Sequence, residues 1–231
     1  MQENGVAIGS KVYEDLKDMI LSQQIRPGER IPENKLAAQF GISRTPIREA
    51  IKRLAADGIV TMYPNRFAEV TVFPPQWLQE VGIVRLTLDT VAAHLAILYG
   101  SNYDFSVMEH YNEECLKATR AGDMARRIKM NCAFHLELSR ISKNEELLHI
   151  QRQLYLKIEF VQACNYGNVY DEKEQYRQHR EMMEALYARD EARLVRLLTE
   201  HLCSFHHLSS DPAFLSNMSG LFAPVPRGPG L

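Results

Sequence analysis

The spacing of apolar residues divides the chain into two parts. In the first part, three segments with helical spacing are followed by two short β-prone runs; the segments are 10–23, 32–40 and 41–60, and the runs are 59–63 and 68–73. Pro74 and Pro75 close this part, because consecutive prolines stop a strand and stiffen the link behind it. The pattern predicts three helices and a β-hairpin, with Ser10 as the N-cap of the first helix.

Beyond the two prolines, hardly any segment alternates with the period of a strand. Apolar residues instead recur at helical spacing in six stretches, near 76–100, 104–121, 123–141, 145–167, 171–189 and 191–208. Short connections between long amphipathic helices predict an antiparallel bundle. We expect Asn144 and Asp190 to cap the fourth and sixth of these helices. The expected core of the fifth is Met182, Met183, Leu186 and Tyr187.

The third helix of the first part has an apolar back and a basic leading edge. Ser43 is a suitable N-cap, Pro46 fits the first turn, and Asp57-Gly58 ends the helix. Its inward stripe is Ile47, Ala50, Ile51, Leu54 and Ala55. The polar residues off that stripe are Arg44, Thr45, Arg48 and Lys52. The major groove of DNA accepts a helix of this kind.

The hairpin behind that helix carries a basic residue at its tip. Pro64-Asn65-Arg66 separates the two β-prone runs, so Arg66 would point toward a neighbouring groove or phosphate. The prediction is a mainly α fold with an N-terminal winged helix-turn-helix and a C-terminal antiparallel all-helical bundle. The predicted domains are 1–74 and 75–208, and 209–231 reads as a flexible tail. Any small three-helix domain with basic surface residues is the plainer alternative.

Composition narrows the class of protein. The 231 residues are 45% hydrophobic and carry a net charge of −2, which suits two packed domains with any basic patch confined to one face. Four scattered cysteines predict reduced thiols in a cytoplasmic protein; they are Cys115, Cys132, Cys164 and Cys203. The most apolar stretch, 83–99, is interrupted by Arg85, Asp89 and His94, which argues against a membrane span.

One group of polar residues in the bundle has metal-ligand character. Asn131 and His135 lie four residues apart and therefore share a helix face, while His179 and His201 lie on the fifth and sixth stretches. Three imidazoles and an oxygen ligand suit a divalent transition metal such as zinc, nickel or manganese. Eight histidines allow many such triples, so ordinary partly buried side chains are an open alternative.

Residues 10–73 resemble the N-terminal domain of the GntR superfamily of bacterial transcription regulators, through KLAAQFGISRTPIREAIKRLAADGIV. The resemblance implies that Arg44 and Arg48 contact bases and that Arg66 reaches the minor groove. It also implies phosphate or flanking contacts for Ser43, Thr45 and Lys52. Two positions depart from the family pattern: Asn34 stands where some members have an arginine, and Phe67 stands where a glycine commonly follows the wing arginine.

Residues 76–208 resemble the FCD domain, the helical effector domain of the FadR branch of that superfamily. The resemblance lies in VRLTLDTVAAHLA, NCAFHLELSRISKNEEL and HREMMEALYARDEARLVRLLTEHL. Many members hold a metal with an aspartate four residues before a histidine and with two later histidines. His135, His179 and His201 match the histidines, and Asn131 replaces the aspartate. A neutral amide is the weaker ligand and leaves the site one charge more positive.

Arg85 matches an arginine that faces the effector cavity in this family. Its guanidinium could hold a carboxylate in bidentate fashion, or it could instead pair with Glu80 or Asp89. Further candidates for the cavity wall, which spacing does not separate from core or surface residues, are Tyr155, Gln162 and Asn165.

The sequence therefore predicts a one-component transcription regulator. A homodimer would bind a palindromic operator, and the helical domain would sense a small carboxylated metabolite, with repression as the default. A metal-dependent enzyme fused to a DNA-binding module is a second hypothesis, although the chain has no H-E-x-x-H motif and Glu137 is the nearest candidate base. An architectural DNA-binding dimer is the third.

Overall fold

The computed structural model describes residues 2–164 and 172–208. Within these ranges the chain forms nine helices and one two-stranded sheet, which confirms the mainly α prediction. The N-terminal elements are α1 Gln2–Leu21, α2 Glu33–Phe40, α3 Arg44–Ala56, β1 Val60–Tyr63 and β2 Phe67–Val70. The helices that follow are α4 Trp77–Tyr99, α5 Asn102–Ala121, α6 Met124–Ile141, α7 Glu145–Cys164, α8 Glu172–Tyr187 and α9 Glu191–His206. Asn165 and the predicted tail 209–231 lie outside the described residues.

The first three helices pack around one apolar core. The inward stripe of α3 is buried against α1, with Leu16, Ile20 and Ile51 almost fully inaccessible to solvent. Tyr13 on α1 donates a 2.7 Å hydrogen bond to Asp57, the residue that caps the C-terminus of α3. The antiparallel hairpin β1–β2 packs its Ala68 and Val70 side chains on the same core. This packing holds α3 with its polar edge outward.

Of the two N-cap predictions in this domain, the one for Ser10 is wrong and the one for Ser43 is right in position. The prediction that Ser10 begins the first helix is wrong, because α1 already begins at Gln2 and Ser10 lies in its interior. The Ser10 hydroxyl instead accepts a long contact of 3.5 Å from Arg53 of α3. Ser43 does occupy the N-cap position of α3, but its hydroxyl makes no capping hydrogen bond and remains exposed.

The six helices α4–α9 form the predicted antiparallel bundle. Asn144 and Asp190 accept hydrogen bonds of 3.0 Å from backbone N–H groups in the first turns of α7 and α9, as N-caps do. Met182, Met183 and Leu186 are buried as expected. The prediction for Tyr187 is wrong: it is 39% exposed, because it lies at the end of α8, where its hydroxyl donates to Glu109 at the surface. Within the part of the chain that the structure describes, none of the four cysteines forms a disulfide, as predicted.

Helix α4 is long and strongly apolar. By length and composition alone it could cross a membrane, but half of its apolar window is buried within the protein. Its Arg85 and Asp89 are both buried and pair with each other inside the bundle. Core helices of globular proteins have these properties too, so the composition of α4 is weak evidence for a membrane.

The two halves of the chain share part of a core. Phe160 and Val161 of α7 are buried in the same apolar cluster as the winged-helix residues. Phe73, just before the double proline, contacts the rings of Trp77 at 4.5 Å and Phe160 at 5.7 Å between centroids. The winged helix is therefore attached to the bundle by packing as well as by the chain.

Candidate functional site

The polar edge of α3 forms an exposed surface with the wing. The residues that sequence patterns assigned to this surface are all solvent-exposed; they are Ser43, Arg44, Thr45, Arg48, Lys52 and Arg66. The first five lie at the N-cap or along the outer face of α3, and Arg66 lies in the turn between β1 and β2. A helix edge and a hairpin tip of this kind can meet a groove and the adjacent phosphates of a duplex.

Several of these cations contact side chains of the protein itself. Arg48 Nε donates to Glu33 at 2.8 Å, Arg44 Nη1 lies 3.4 Å from Asn34 Oδ1, and Lys52 contacts Glu49 at 2.9 Å. Exposed contacts of this type contribute about 0–1 kcal/mol, so phosphates or base edges can replace the protein partners at little cost. Asn34, one of the two departures from the family pattern, thus lies beside Arg44.

A basic residue from outside the hairpin packs against the wing, and the sequence patterns did not identify it. The Arg30 guanidinium lies 3.9 Å from the ring centroid of Phe67, the second departure from the family pattern, and Arg66 lies 5.8 Å from the same ring. The Tyr63 ring packs against the Phe67 ring, with centroids 4.7 Å apart. Because Arg30 and Phe67 are distant in sequence, no local pattern could show that Arg30 adds charge to the wing.

Three histidines from three helices meet in the interior of the bundle. His135 of α6, His179 of α8 and His201 of α9 are 0–1% exposed, and their candidate ligand nitrogens all lie within 4.8 Å of one another. The ring centroids are 4.9–5.0 Å apart in every pair, which makes the triangle nearly equilateral. The structure thus brings together the three histidines that the sequence singled out.

Hydrogen bonds orient two of the rings toward the centre of the triangle. His179 Nδ1 lies 3.1 Å from Asn112 Oδ1, and His201 Nδ1 lies 2.7 Å from Gln178 Oε1. An amide oxygen accepts, so each Nδ1 carries the proton and each Nε2 retains a lone pair. This is the usual outer-shell arrangement around metal-ligating histidines. Sequence spacing identified neither Asn112 nor Gln178, because neither partner lies near its histidine in a recognisable motif.

The nitrogens fit a metal ion in distance and in bonding. His135 Nε2 and His201 Nε2 are 3.2 Å apart, and bonds of about 2.05 Å in a tetrahedral site place ligand nitrogens about 3.3 Å apart. His179 Nε2 and His135 Nδ1 are buried and have no hydrogen-bond partner among residues 2–164 and 172–208. Such groups are costly to bury, and a ligand in the cluster would account for the first of them. The histidine triad could therefore hold a metal ion.

All three imidazoles are kept neutral. Burial lowers the pKa of His201 to about 3, and the charge of Arg85 adds to the effect. Burial also lowers the pKa values of His135 and His179 well below the ordinary value, with Arg85 as a further cause for both. Neutral imidazole is the form that binds metal, so these nitrogens need not lose a proton first.

Asn131 lies beside the cluster and is engaged by another side chain. It is 4% exposed, and its Oδ1 accepts a 2.6 Å hydrogen bond from Gln175 Nε2. Gln175 in turn accepts a 2.7 Å hydrogen bond from Arg127 Nη2. An amide oxygen has two lone pairs, so Asn131 keeps one acceptor position while Gln175 holds it in place.

Arg85 is at the centre of a second buried polar group next to the histidines. Its Nε contacts Asp89 at 3.2 Å and Tyr155 at 2.9 Å, and its Nη1 lies 3.3 Å from His206 Nε2. The Tyr155 hydroxyl also donates to Asp89 at 2.8 Å. The Nη2 atom is buried and has no partner within the described residues. The ion pair with Asp89 therefore forms and still leaves the Nη2 edge of the guanidinium for a ligand.

Comparison with known families assigns both halves of the chain. Residues 8–70 match the bacterial regulatory proteins of the gntR family, and residues 80–203 match the FCD domain. Among curated relatives, the HTH-type transcriptional regulator YdhC of Bacillus subtilis is 31% identical over 74% of this chain and 77% of its own length. The HTH-type transcriptional repressor RspR of Escherichia coli is 23% identical over 84% of this chain and 86% of its own.

A solved structure supports the same fold. Escherichia coli McbR/YncC superposes with a TM-score of 0.74 at 23% identity, covering 94% of this chain and 99% of that one. These relatives are transcription regulators and not enzymes, which removes support from the hypothesis of a metal-dependent enzyme. With the basic edge of α3 exposed on the winged domain and a buried polar cluster inside the FCD bundle, the chain belongs to the GntR family as a ligand-responsive, DNA-binding transcription regulator.

Proposed function

We propose that this regulator acts in the cytoplasm as a homodimer on a palindromic operator and senses a small carboxylated metabolite together with a divalent metal ion. Residues 1–74 would form the DNA-binding domain and 75–208 the effector and dimerisation domain. The observation that carries the proposal is the cluster of three buried imidazoles next to Arg85, whose Nη2 has no partner among the described residues.

The metal ion is zinc, nickel or manganese in this proposal. His135, His179 and His201 would hold it, with Asn131 as a weaker fourth ligand. When bound, the ion supplies positive charge that attracts a carboxylate. The three imidazoles are neutral, and Asn131 brings no charge where the family has an aspartate. The loaded site would thus keep a positive charge that favours an anionic effector.

Arg85 would bind the effector carboxylate together with the metal ion. Its Nε stays with Asp89 and Tyr155, which fixes the guanidinium plane, while Nη2 is left for an anion. Hydrogen bonds between arginine and carboxylate are short and strong because both groups are charged. Asp89 balances the charge of Arg85 but not the charge of a bound metal ion. An anionic effector would complete the charge balance of the site.

At the other end of the molecule, the bases would be read by Arg44 and Arg48. Arg66 would enter the minor groove, and Ser43, Thr45 and Lys52 would contact phosphates or flanking groups. Two reading helices must match half-sites about 34 Å apart, so a small reorientation of the domains lowers operator affinity. An effector that prefers the reoriented state would release the operator. The relative RspR, a repressor by name, supports repression as the default.

The metal part is tested on purified protein. Metal content by elemental analysis should be near one equivalent for the wild type after dialysis against Zn²⁺, and should fall for His179→Ala. The control is His149→Ala, an exposed histidine on α7 that should change nothing. Thermal unfolding with a panel of organic acids, each with and without Zn²⁺, then identifies the effector class. A wild type that neither retains zinc nor gains thermal stability from any divalent ion would refute the metal site.

The DNA part needs an operator selected from a random pool of duplexes. Arg48→Ala should lose the preference for the selected duplex over a scrambled one, because base contacts specify sequence. Arg152→Ala, an exposed arginine of α7, is the matched control. An unchanged preference in Arg48→Ala would refute the assignment of that residue.

The architectural hypothesis makes a different prediction for the same material. If the bundle served only to hold two copies together, no effector or metal would alter operator affinity. A dose-dependent change in affinity with an organic acid identified in the thermal screen would rule that hypothesis out.

A further inference from the structure

Helix α7 takes part in both domains. Its middle carries Gln151 and Tyr155, whose side chains hydrogen-bond to the buried Asp89. Its C-terminal half carries Phe160 and Val161, which are buried in the core of the winged helix. Tyr155 and Phe160 are five residues apart, which is about 7.5 Å along a helix axis. One rigid element therefore connects the effector site with the DNA-binding domain.

Two more contacts hold this helix on the winged domain. Gln23, in the turn after α1, donates to the carbonyl oxygen of Ala163 at 2.5 Å. The Lys157 side chain lies so close to Gly58 that a Cβ on the glycine would be 2.7 Å from Lys157 Cε. Gly58 directly follows α3 and its C-cap, so α7 also touches the end of the reading helix.

At the effector end, Tyr155 contacts both the Arg85–Asp89 pair and one histidine of the candidate site. Its hydroxyl accepts from Arg85 Nε at 2.9 Å and donates to Asp89 at 2.8 Å. The Arg85 guanidinium also lies 4.7 Å from the centroid of the Tyr155 ring. The same ring is nearly parallel to that of His135, with centroids 6.1 Å apart. A change at Arg85 or at His135 therefore acts on Tyr155 directly.

We infer that Tyr155 is the positioning residue through which occupancy of the histidine–Arg85 site shifts α7 against the winged helix. This inference rests on the proposed function, because it needs a ligand in that site. A movement of His135 displaces the stacked ring of Tyr155, and the hydrogen bonds of its hydroxyl with Asp89 and Arg85 Nε fix how that displacement is passed to α7. An anion on Arg85 Nη2 would move the same guanidinium. Because α7 is continuous, the Phe160 end moves with the Tyr155 end.

Space for such a movement exists on the other side of the junction. A cleft of about 740 Å³ lies between the winged helix and the bundle, with Met19 and Phe40 on one wall and Ile128 and Lys129 on the other. The winged helix is thus packed tightly on α7 but loosely toward α6. A shift of α7 can therefore change the angle between the domains on the side of the cleft, with Trp77 as the neighbouring contact that registers the change.

Trp77 provides a built-in reporter of this junction. It is the single tryptophan of the chain, so its fluorescence is unambiguous. Its ring contacts Phe73 at 4.5 Å, and it packs against both the winged-helix core and the cluster of Tyr155 and Ile158. Zn²⁺ has a filled d shell and no redox chemistry, which makes it a suitable titrant for a fluorescence experiment.

The experiment titrates the full chain with Zn²⁺ and follows Trp77 emission and, by equilibrium dialysis, bound zinc. Wild type should show an emission change that follows occupancy. Tyr155→Phe keeps the ring but removes the hydroxyl; it should bind zinc within about threefold of wild type and lose most of the emission change. Tyr103→Phe, at a residue 77% exposed and far from the site, should behave as wild type. A loss of zinc affinity parallel to the loss of signal would indicate a merely structural role and overturn the inference.

A second variant tests the other end of the helix. Phe160→Leu leaves the Arg85 network in place and should also bind zinc normally while reducing the Trp77 response. Retention of the full response in Tyr155→Phe would overturn the inference. So would zinc binding by wild type without any change in emission, in which case the proposed metal site survives. A wild type that binds no zinc in dialysis would instead refute the proposed metal site, and this inference with it.

Discussion

His206 offers the most quantitative prediction for this protein. It is fully buried at the end of α9, where its Nδ1 lies 2.8 Å from the carbonyl oxygen of Leu78 and its Nε2 lies 3.3 Å from Arg85 Nη1. A second proton on this ring would place two cations in contact. Burial lowers the pKa of His206 to about 3, and the charge of Arg85 is the next cause.

The lowered pKa makes folding stability depend on pH with a definite sign. The unfolded chain binds a proton at His206 near pH 6.5, whereas the folded chain does not do so until about pH 3. The unfolded state therefore binds more protons between these values, and the free energy of unfolding falls as the pH falls through that window. From about pH 7.5 to about pH 5, this one residue removes about 2 kcal/mol.

Urea unfolding of the EDTA-treated protein, followed by circular dichroism at the two pH values, measures this effect. Wild type should lose about 2 kcal/mol more than His206→Gln on acidification, out of a total of about 5–15 kcal/mol for a typical domain. Packing lost in the variant is independent of pH and cancels in the difference. His149→Gln, at an exposed position, is the control and should resemble wild type. Equal acid sensitivity of wild type and His206→Gln would refute the reasoning.

Three further variants test neighbouring parts of the structure. Asn131→Asp should tighten zinc retention in dialysis by about tenfold because a carboxylate is the better ligand, whereas the control Asn144→Asp, at the cap of α7, should not change it. Weaker retention by Asn131→Asp would count against residue 131 as a ligand. Gly82→Ala should lower the free energy of unfolding, measured by thermal melts, by about 1–3 kcal/mol, since the added Cβ would lie 2.5 Å from His206 Cβ. Gly9→Ala, where the added Cβ meets open space, is the control. Glu33→Gln frees Arg48 and removes a negative charge that would lie near the DNA phosphates, so fluorescence anisotropy should show about threefold tighter duplex binding. Weaker binding would mean that Glu33 instead positions Arg48 for its base contacts.

Local patterns in the sequence were sufficient for the secondary structure and for the outward face of α3. The stripe from Ile47 to Leu54 predicts which side of α3 is buried, because successive helix turns bring those residues to one face whatever lies opposite. The spacing of Asn131 and His135 likewise places both on one face of α6. His179 and His201 were two candidates among eight histidines, and only the family resemblance favoured them over the others, since spacing carries no information across helices.

Contacts between distant residues were decided only by the tertiary structure. The hydrogen bonds that His179 donates to Asn112 and Arg85 donates to Tyr155 join residues 67 and 70 positions apart, and no local pattern encodes them. The shared core around Phe160 was equally invisible, because an apolar residue on an amphipathic helix does not indicate which domain it will contact. Periodicity along single segments was enough to predict the helices apart from the start of α1, their buried faces and the exposed basic edge of α3. Packing alone decided which polar atoms were left without partners and which helix serves both domains.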